Sequence, residues 1–132
     1  MSPSETFHLS AAGEQAFGYA QAVRSGALVH VSGTLSVDDA FAPLYADHID
    51  EQVRHIYASI RRTLDHFGVG LNSVIRETIY VTDMDAFLGA NAVRLAEYDG
   101  HFPATTAVQV QRLAFPECMI EVEVTADLSA MP

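Results

Sequence analysis

Four places along the 132 residues carry side chains whose types and spacing could do chemistry. His48, Glu51 and His55 stand three and four residues apart, a spacing that on a helix gathers imidazole and carboxylate donors as a zinc site requires. At about 100° per residue, however, they fall nearly opposite the apolar stripe of the same segment, so the expectation is a solvated face with no metal. Ser32 paired with any of the six histidines could suggest a hydrolase dyad, but no G-x-S-x-G turn exists to expose such a nucleophile. Cys118 is the only cysteine, which rules out an intrachain disulfide and reads as a small core residue. Glu121 stands on the polar side of the alternating run "MIEVEVTAD". A carboxylate there is usually solvated, and pattern alone assigns it no role.

The elements that must position these groups follow from periodicity. Residues 16–23, "AFGYAQAV", and 27–33, "ALVHVSG", read as two strands of a hairpin turning through "RSG". From Asp47 to Phe67 the apolar residues Ile49, Val53, Ile56, Ile60, Leu64 and Phe67 mark one face of a helix, ended by Gly68 and Gly70. "SVIRETIYV", 73–81, sets Ile75, Ile79 and Val81 against Arg76, Thr78 and Tyr80 with the period of a strand. The Thr82 hydroxyl, three residues before Asp85, is placed to cap a helix running to about Tyr98. "TTAVQVQRL" and "MIEVEVTAD" are the last two strands.

The order ββ-α-β-α-ββ predicts an α/β (α+β) fold with one mixed β-sheet and two helices on one face. On the other face Glu121, Glu123 and Thr125 would join Thr105, Ala107, Gln109 and Gln111, with Val108 and Val110 turned the opposite way. Such a semi-polar surface suits either water or a wet subunit interface, and pattern leaves both open.

Length and 49% hydrophobic content suffice for one core, so residues 1–132 read as a single domain. No apolar run approaches the roughly 18 residues that span a bilayer, and "MSPSETFHLS" lacks the pattern of a secretory signal; the expectation is a cytoplasmic protein with no membrane partner. Seven arginines, no lysine and seventeen acids give a net charge of -10, which disfavours nucleic acid as a partner.

Five segments, "GYAQAV" (18–23), "ALVHVSGT" (27–34), "ETIYVTDMDAFLGAN" (77–91), "FPATTAV" (102–108) and "MIEVEVTA" (119–126), occur in the order and spacing of signatures that resemble the RidA/YjgF family. The resemblance implies a chorismate-mutase-like fold and a homotrimer whose helix-free sheet faces meet, with small-molecule clefts between neighbouring subunits. It further implies hydrolysis of reactive imines and enamines to a carbonyl compound and ammonia, with no cofactor and no metal. By position, Tyr19 and Ser32 would line the cleft together with Asn91, Thr105 and Ala107, and Glu121 would place or activate water. One carboxylate beside a bound water can serve both proton transfers of that reaction. The residues also have plainer readings. Tyr19 suits a core aromatic, Ser32 a turn, and Asn91, on the stripe Phe87, Asn91, Leu95 and Tyr98, a hydrogen-bonded core amide.

The departures bear on specificity. Phe17-Gly18-Tyr19 replaces Gly-Pro-Tyr, Ser32-Gly33-Thr34 replaces Ser-Gly-Gln, Ala107 stands for a common cysteine, and Thr105 stands where the family pattern has a carboxylate-gripping arginine. A hydroxyl supplies neither the charge nor the bidentate fork. Arg94 could substitute by projecting into the cleft or could be a solvated helix residue. The reading is therefore a RidA-like deaminase of an imine or enamine other than the usual 2-imino acids, the alternative being a catalytically silent small-molecule-binding or regulatory trimer.

Overall fold

The computed structural model describes residues 4–130. Ten principal elements run β1 (Glu5–Phe7), α1 (Ala11–Phe17), β2 (Ala22–Ser25), β3 (Leu28–Leu35), α2 (Ile49–His66), β4 (Val74–Val81), α3 (Met84–Gly89), α4 (Asn91–Tyr98), β5 (Ala104–Gln109) and β6 (Ile120–Asp127). The strands form one six-stranded mixed sheet in the order β1-β2-β3-β6-β4-β5, antiparallel except for the β4–β5 pair. Residues 1–3 of the N-terminal stretch, and 131–132, lie outside the described residues.

The long amphipathic segment forms as its stripe predicts. Val53, Ile56, Ile60 and Leu64 of α2 are fully buried against Ile79, Ile120 and Val122 of the sheet. Burying each such side chain contributes about 1.5–3 kcal/mol. Gln52, also fully buried, ties this helix to the chain entering β6: its Nε2 donates to the carbonyls of Tyr45 and Glu117 at 3.0 Å each, and its Oε1 accepts from Met119 N at 2.8 Å.

Several local expectations are corrected. The run 16–23 is not a strand, because Ala11–Phe17 is helix α1 and pairing begins only at Ala22. Glu14 folds back to accept from Leu9 N (3.1 Å) and Ser10 N (2.6 Å), satisfying amide groups at the helix start, and Gly18 at φ 88 ends the helix. The hairpin then turns at Gly26-Ala27, between paired Ser25 and Leu28, with Gly26 at φ 62. The helix expected to reach Tyr98 breaks at Ala90 into α3 and α4, so four helices replace two. Its cap is the Asp83 carboxylate, which accepts from Ala86 N at 3.0 Å, and not the Thr82 hydroxyl.

Two bulges reset the faces of their strands. In β4 the register slips between Val74 and Arg76, so Ile75 is 46% exposed while Glu77 is fully buried. In β3 it slips between Val31 and Thr34, which places Ser32-Gly33 in the irregular step beside β6. The face of β5 is also corrected. Thr105 pairs with Glu77 and Ala107 with Ile79, on the helix-covered side; Thr106 and Val108 share the open side with Thr78 and Tyr80. Glu121 and Glu123 do stand on that open side, opposite Tyr80 and Thr78, and the Tyr80 hydroxyl donates to Glu123 Oε1 at 2.6 Å.

Candidate functional site

A cavity of about 560 Å³ opens between α1, the bulge of β3, α2 and the loops before α2 and β6. Its size is that of a small-molecule site. Tyr19, Ser32 and Glu121, three of the residues singled out from the sequence, line it together. Asn91, Thr105 and Ala107 do not, and Thr105 lies on the opposite face of the sheet from Glu121.

Local sequence explains how each lining group arrives. Gly18 holds φ 88, which a proline ring fixed near −65° could not adopt, so this substitution shapes the chain from α1 into Tyr19. Tyr19 is 36% exposed and stacks on Phe41 at 6.5 Å between ring centres, which makes it a wall of the cavity and not a core aromatic. Burial, then the charges of Glu14 and Glu121, push its hydroxyl above the usual tyrosine range. The Ser32 hydroxyl donates to the Ala20 carbonyl at 2.6 Å, tying the bulge to the Tyr19 segment.

Glu121 is half-buried, and its carboxylate makes no hydrogen bond to another group among the described residues. Burial first, and the nearby Glu123 second, raise its pKa above the usual value, a setting that favours a proton-transferring carboxyl. It packs directly on Gly33: a Cβ at that position would lie 2.8 Å from Glu121 Cδ and 2.9 Å from Oε1. Gly33→Ala is therefore expected to fold with little loss of stability, because only a flexible carboxylate must move. Where Glu121 is the reacting group, turnover falls about 10–100-fold in this variant, since displacing such a group by an ångström is costly. Thermal melts alongside initial rates check both halves of that result.

Glu14, also on the wall, is 1% exposed and fully engaged, with Oε1 accepting from Gln21 N at 3.0 Å and 2.8 Å from His8 Nδ1, in addition to its two helix-start amides. It holds the cavity's rim in place and brings a second carboxylate to the wall.

Arg94 is neither solvated nor in the cavity. It is 7% exposed, its Nη2 donates to Glu77 Oε2 at 2.7 Å and to Thr105 Oγ1 at 3.0 Å, and Thr105 Oγ1 in turn donates to Glu77 Oε2 at 3.1 Å. Tyr57 donates to the other oxygen of Glu77. Burial works against the guanidinium charge, but the hydrogen bond and charge of Glu77 outweigh it and hold the pKa above its ordinary value. The cation nearest the family's arginine position is thus already neutralised by a buried partner. An arginine placed at 105 would bring a second guanidinium to this single carboxylate.

The remaining candidates resolve plainly. His48 and Glu51 are exposed, Glu51 pairs with Arg54, and His55 places Nε2 2.8 Å from the Val37 carbonyl on the cavity wall, correcting its expected solvation. No group of three or more His, Cys, Asp or Glu could hold a metal among the described residues. Burial pushes the Cys118 thiol up to about 11, further from a reactive thiolate. Asn91 opens α4 half-buried, where the break at Ala90 has rotated the stripe so that Leu95 is 39% exposed and Arg94 buried. No helix is long and apolar enough to cross a membrane among the described residues.

The six-stranded mixed sheet with its four helices is an α+β fold shared with a family of small proteins. The chain belongs to the RidA/YjgF family, matching over residues 10–128 the family described as Endoribonuclease L-PSP. It is 35% identical over 109 residues to a RutC family protein of Pyrococcus horikoshii, covering 82% of this chain and 85% of the relative. Among solved structures it resembles a YjgF/YER057c/UK114 family member from Mycobacterium tuberculosis, with a TM-score of 0.83, 30% identity and coverage of 95% and 99% of the two chains. The RidA of an Antarctic Psychrobacter gives a TM-score of 0.76 at 28% identity, covering 83% of this chain and 88% of that one.

Proposed function

We propose that this protein is a cofactor-independent hydrolytic deaminase of reactive imines or enamines whose substrate does not depend on an α-carboxylate. The observation that carries the reading is Glu121, a half-buried carboxyl with a raised pKa and no internal partner, on the wall of a small-molecule cavity. In the reaction, the oxygen of a water bonds to the imine carbon while one of its protons passes through Glu121 to the nitrogen, giving a carbinolamine. The C–N bond then breaks with its electrons on nitrogen, the hydroxyl proton follows by way of the same carboxyl, and a carbonyl compound and ammonia leave. Both protons come from the water, so one carboxyl acting first as base and then as acid suffices.

The carboxylate-clamping arginine is replaced by Thr105, whose hydroxyl is bonded to Glu77 and Arg94. Losing a charged hydrogen-bonding partner costs about 1.5–3 kcal/mol per bond, so 2-iminopropionate should be a poor substrate. The RNA cleavage that the family name Endoribonuclease L-PSP suggests draws no support from a chain of net charge -10 whose cavity is lined by carboxylates.

The same proposal includes a homotrimer in which the open sheet faces meet and the β5 edge of one subunit, with Asn91, Thr105 and Ala107, adjoins the Glu121 cavity of the next. It is supported by the half-buried polar side chains on the open face and by the separation of the two residue groups within one chain. Light scattering should return three times the 14.3 kDa chain mass, and a monomer at micromolar concentration would contradict the assembly. For the activity, ammonia release is followed from imines generated in situ, both 2-imino acids and imines of simple amines. Acceleration of the carboxylate-free imines is expected; no acceleration of any imine would leave the silent-binder reading in its place.

A further inference from the structure

Resting on the reading of the Glu121 cavity as the reaction site, we propose that it selects cationic, carboxylate-free iminium ions bearing an aromatic or bulky apolar group. Two independent features of the wall lead there.

The first is charge. Glu14, Asp38, Asp39 and Glu121 bring four carboxylates to the cavity, and Arg62 is the one Arg or Lys among its lining residues, with Nη1 4.0 Å from Asp39 Oδ1. Arg62 stands against Asp39 and His8 against Glu14, with Nδ1 2.8 Å from Oε1, which leaves Asp38 and Glu121 without a basic partner among the described residues. His55, also on the wall, directs its Nε2 at the Val37 carbonyl, 2.8 Å away. An anionic ligand enters this space against like charge, while an iminium or ammonium group is drawn in. Arg94, the basic residue beside the position of the family's clamp, is held by Glu77.

The second feature is aromatic. Phe17 meets Phe41 at 5.5 Å and Phe115 at 6.4 Å between ring centres, and Phe41 also stacks with Tyr19. These rings come from α1, the segment after it, the loop before α2 and the loop before β6. Phe17 is left 64% exposed, and Phe41 is held at φ 63, a left-handed conformation that side-chain-bearing residues rarely adopt. Gly13 accommodates that ring, for a Cβ there would stand 3.0 Å from Phe41 Cε2. Exposure and backbone strain both accompany the placement of rings around one acidic space, as expected of a site that holds an apolar body and a cationic head. The cavity also exceeds what a three-carbon imine fills. Carboxylate-free imines of this kind arise by two-electron oxidation of primary amines, and their hydrolysis yields an aldehyde or ketone with ammonia.

The test is calorimetric titration of the whole protein, at low ionic strength, with 2-phenylethylammonium, 3-phenylpropanoate and 3-phenylpropan-1-ol. The ammonium probe is expected to bind at least about tenfold more tightly than the carboxylate, with the alcohol between them. Phe17→Ala should weaken ammonium binding, and Arg62→Gln, which removes the offsetting cation, should strengthen it. Equal or tighter binding of the carboxylate overturns the proposal, as does binding of none of the three, or ammonium binding that neither variant alters. The deaminase reading is judged separately by ammonia release. Selective ammonium binding without turnover of any imine supports the ligand class and removes the deaminase reading. Faster hydrolysis of 2-imino acids than of phenylalkyl imines keeps the deaminase and overturns the ligand class.

Discussion

Glu121→Gln is expected to lower turnover of a carboxylate-free imine by about 10²–10⁴-fold, the usual contribution of a positioned acid–base group. The substitution conserves shape, and the carboxylate makes no internal hydrogen bond among the described residues whose loss could unfold the chain. What disappears is the ability to take a proton from water and return it to nitrogen. The pH profile carries the same information. Burial and Glu123 raise the Glu121 pKa, and the base form starts the reaction, so the wild-type rate should fall with decreasing pH at a value above the ordinary carboxylate range of about 4.3. That limb should be absent in the glutamine variant. Stability runs the other way. A carboxyl whose folded pKa is raised favours folding at acid pH and loses that contribution as pH rises through the folded pKa, so Glu121→Gln should be at least as stable as wild type at pH 7. Unchanged turnover in a folded variant would refute the role assigned to Glu121, and urea unfolding at pH 7 checks the stability half.

Glu77→Ala should destabilise the protein by about 3–5 kcal/mol, the cost of leaving one partner of a buried ion pair alone. Glu77 is fully buried and accepts from Tyr57, Arg94 and Thr105 at once. Removing it strands a guanidinium that is 7% exposed and deprives the fully buried Tyr57 of its hydroxyl's acceptor. Burying these groups without partners is what costs free energy, more than the loss of attraction itself. The double variant Glu77→Leu with Arg94→Met should recover much of the loss, since an apolar pair of similar volume often replaces a buried ion pair without penalty. Urea unfolding of the three proteins decides this. A single variant within about 0.5 kcal/mol of wild type, the scatter of ordinary surface substitutions, would mean that the pair does not hold α4 to the sheet.

What could be read from the sequence depended on whether the signal was local. The α2 stripe and the alternation of β6 are periodic over many residues, and both placed their side chains correctly, Glu121 on the open face included. The misread run 16–23 has strand-like alternation, but it was overridden by one carboxylate, Glu14, closing the helix start and one glycine closing its end. The bulge at Ile75 breaks a parity that pattern reading assumes to be continuous. The face of β5 was misassigned because its two valines suggested the core, whereas register with β4 puts Ala107 there and leaves Val108 37% exposed. The Glu77–Arg94–Thr105 network joins three elements through single contacts, and the aromatic wall draws Phe17, Phe41 and Phe115 from separate segments. Neither has a period to detect. The one available hint was a glutamate within an otherwise apolar side of β4, which calls for a buried partner.

The place of β6 in the sheet also governs how the chain can acquire its structure. This strand follows all the others in sequence, yet it lies between β3 and β4 and is the sole bridge joining the β1-β2-β3 ladder to the β4-β5 pair. During synthesis from the N-terminus, both halves emerge before the segment that unites them, and α2 has only part of its packing surface until Ile120, Val122 and Val124 arrive. Closure of the core thus depends on contacts far apart along the chain, which slows folding and keeps apolar surface exposed on the nascent polypeptide. The strand that carries Glu121 is also the one that joins the two halves of the sheet, so the cavity cannot form before that strand is made.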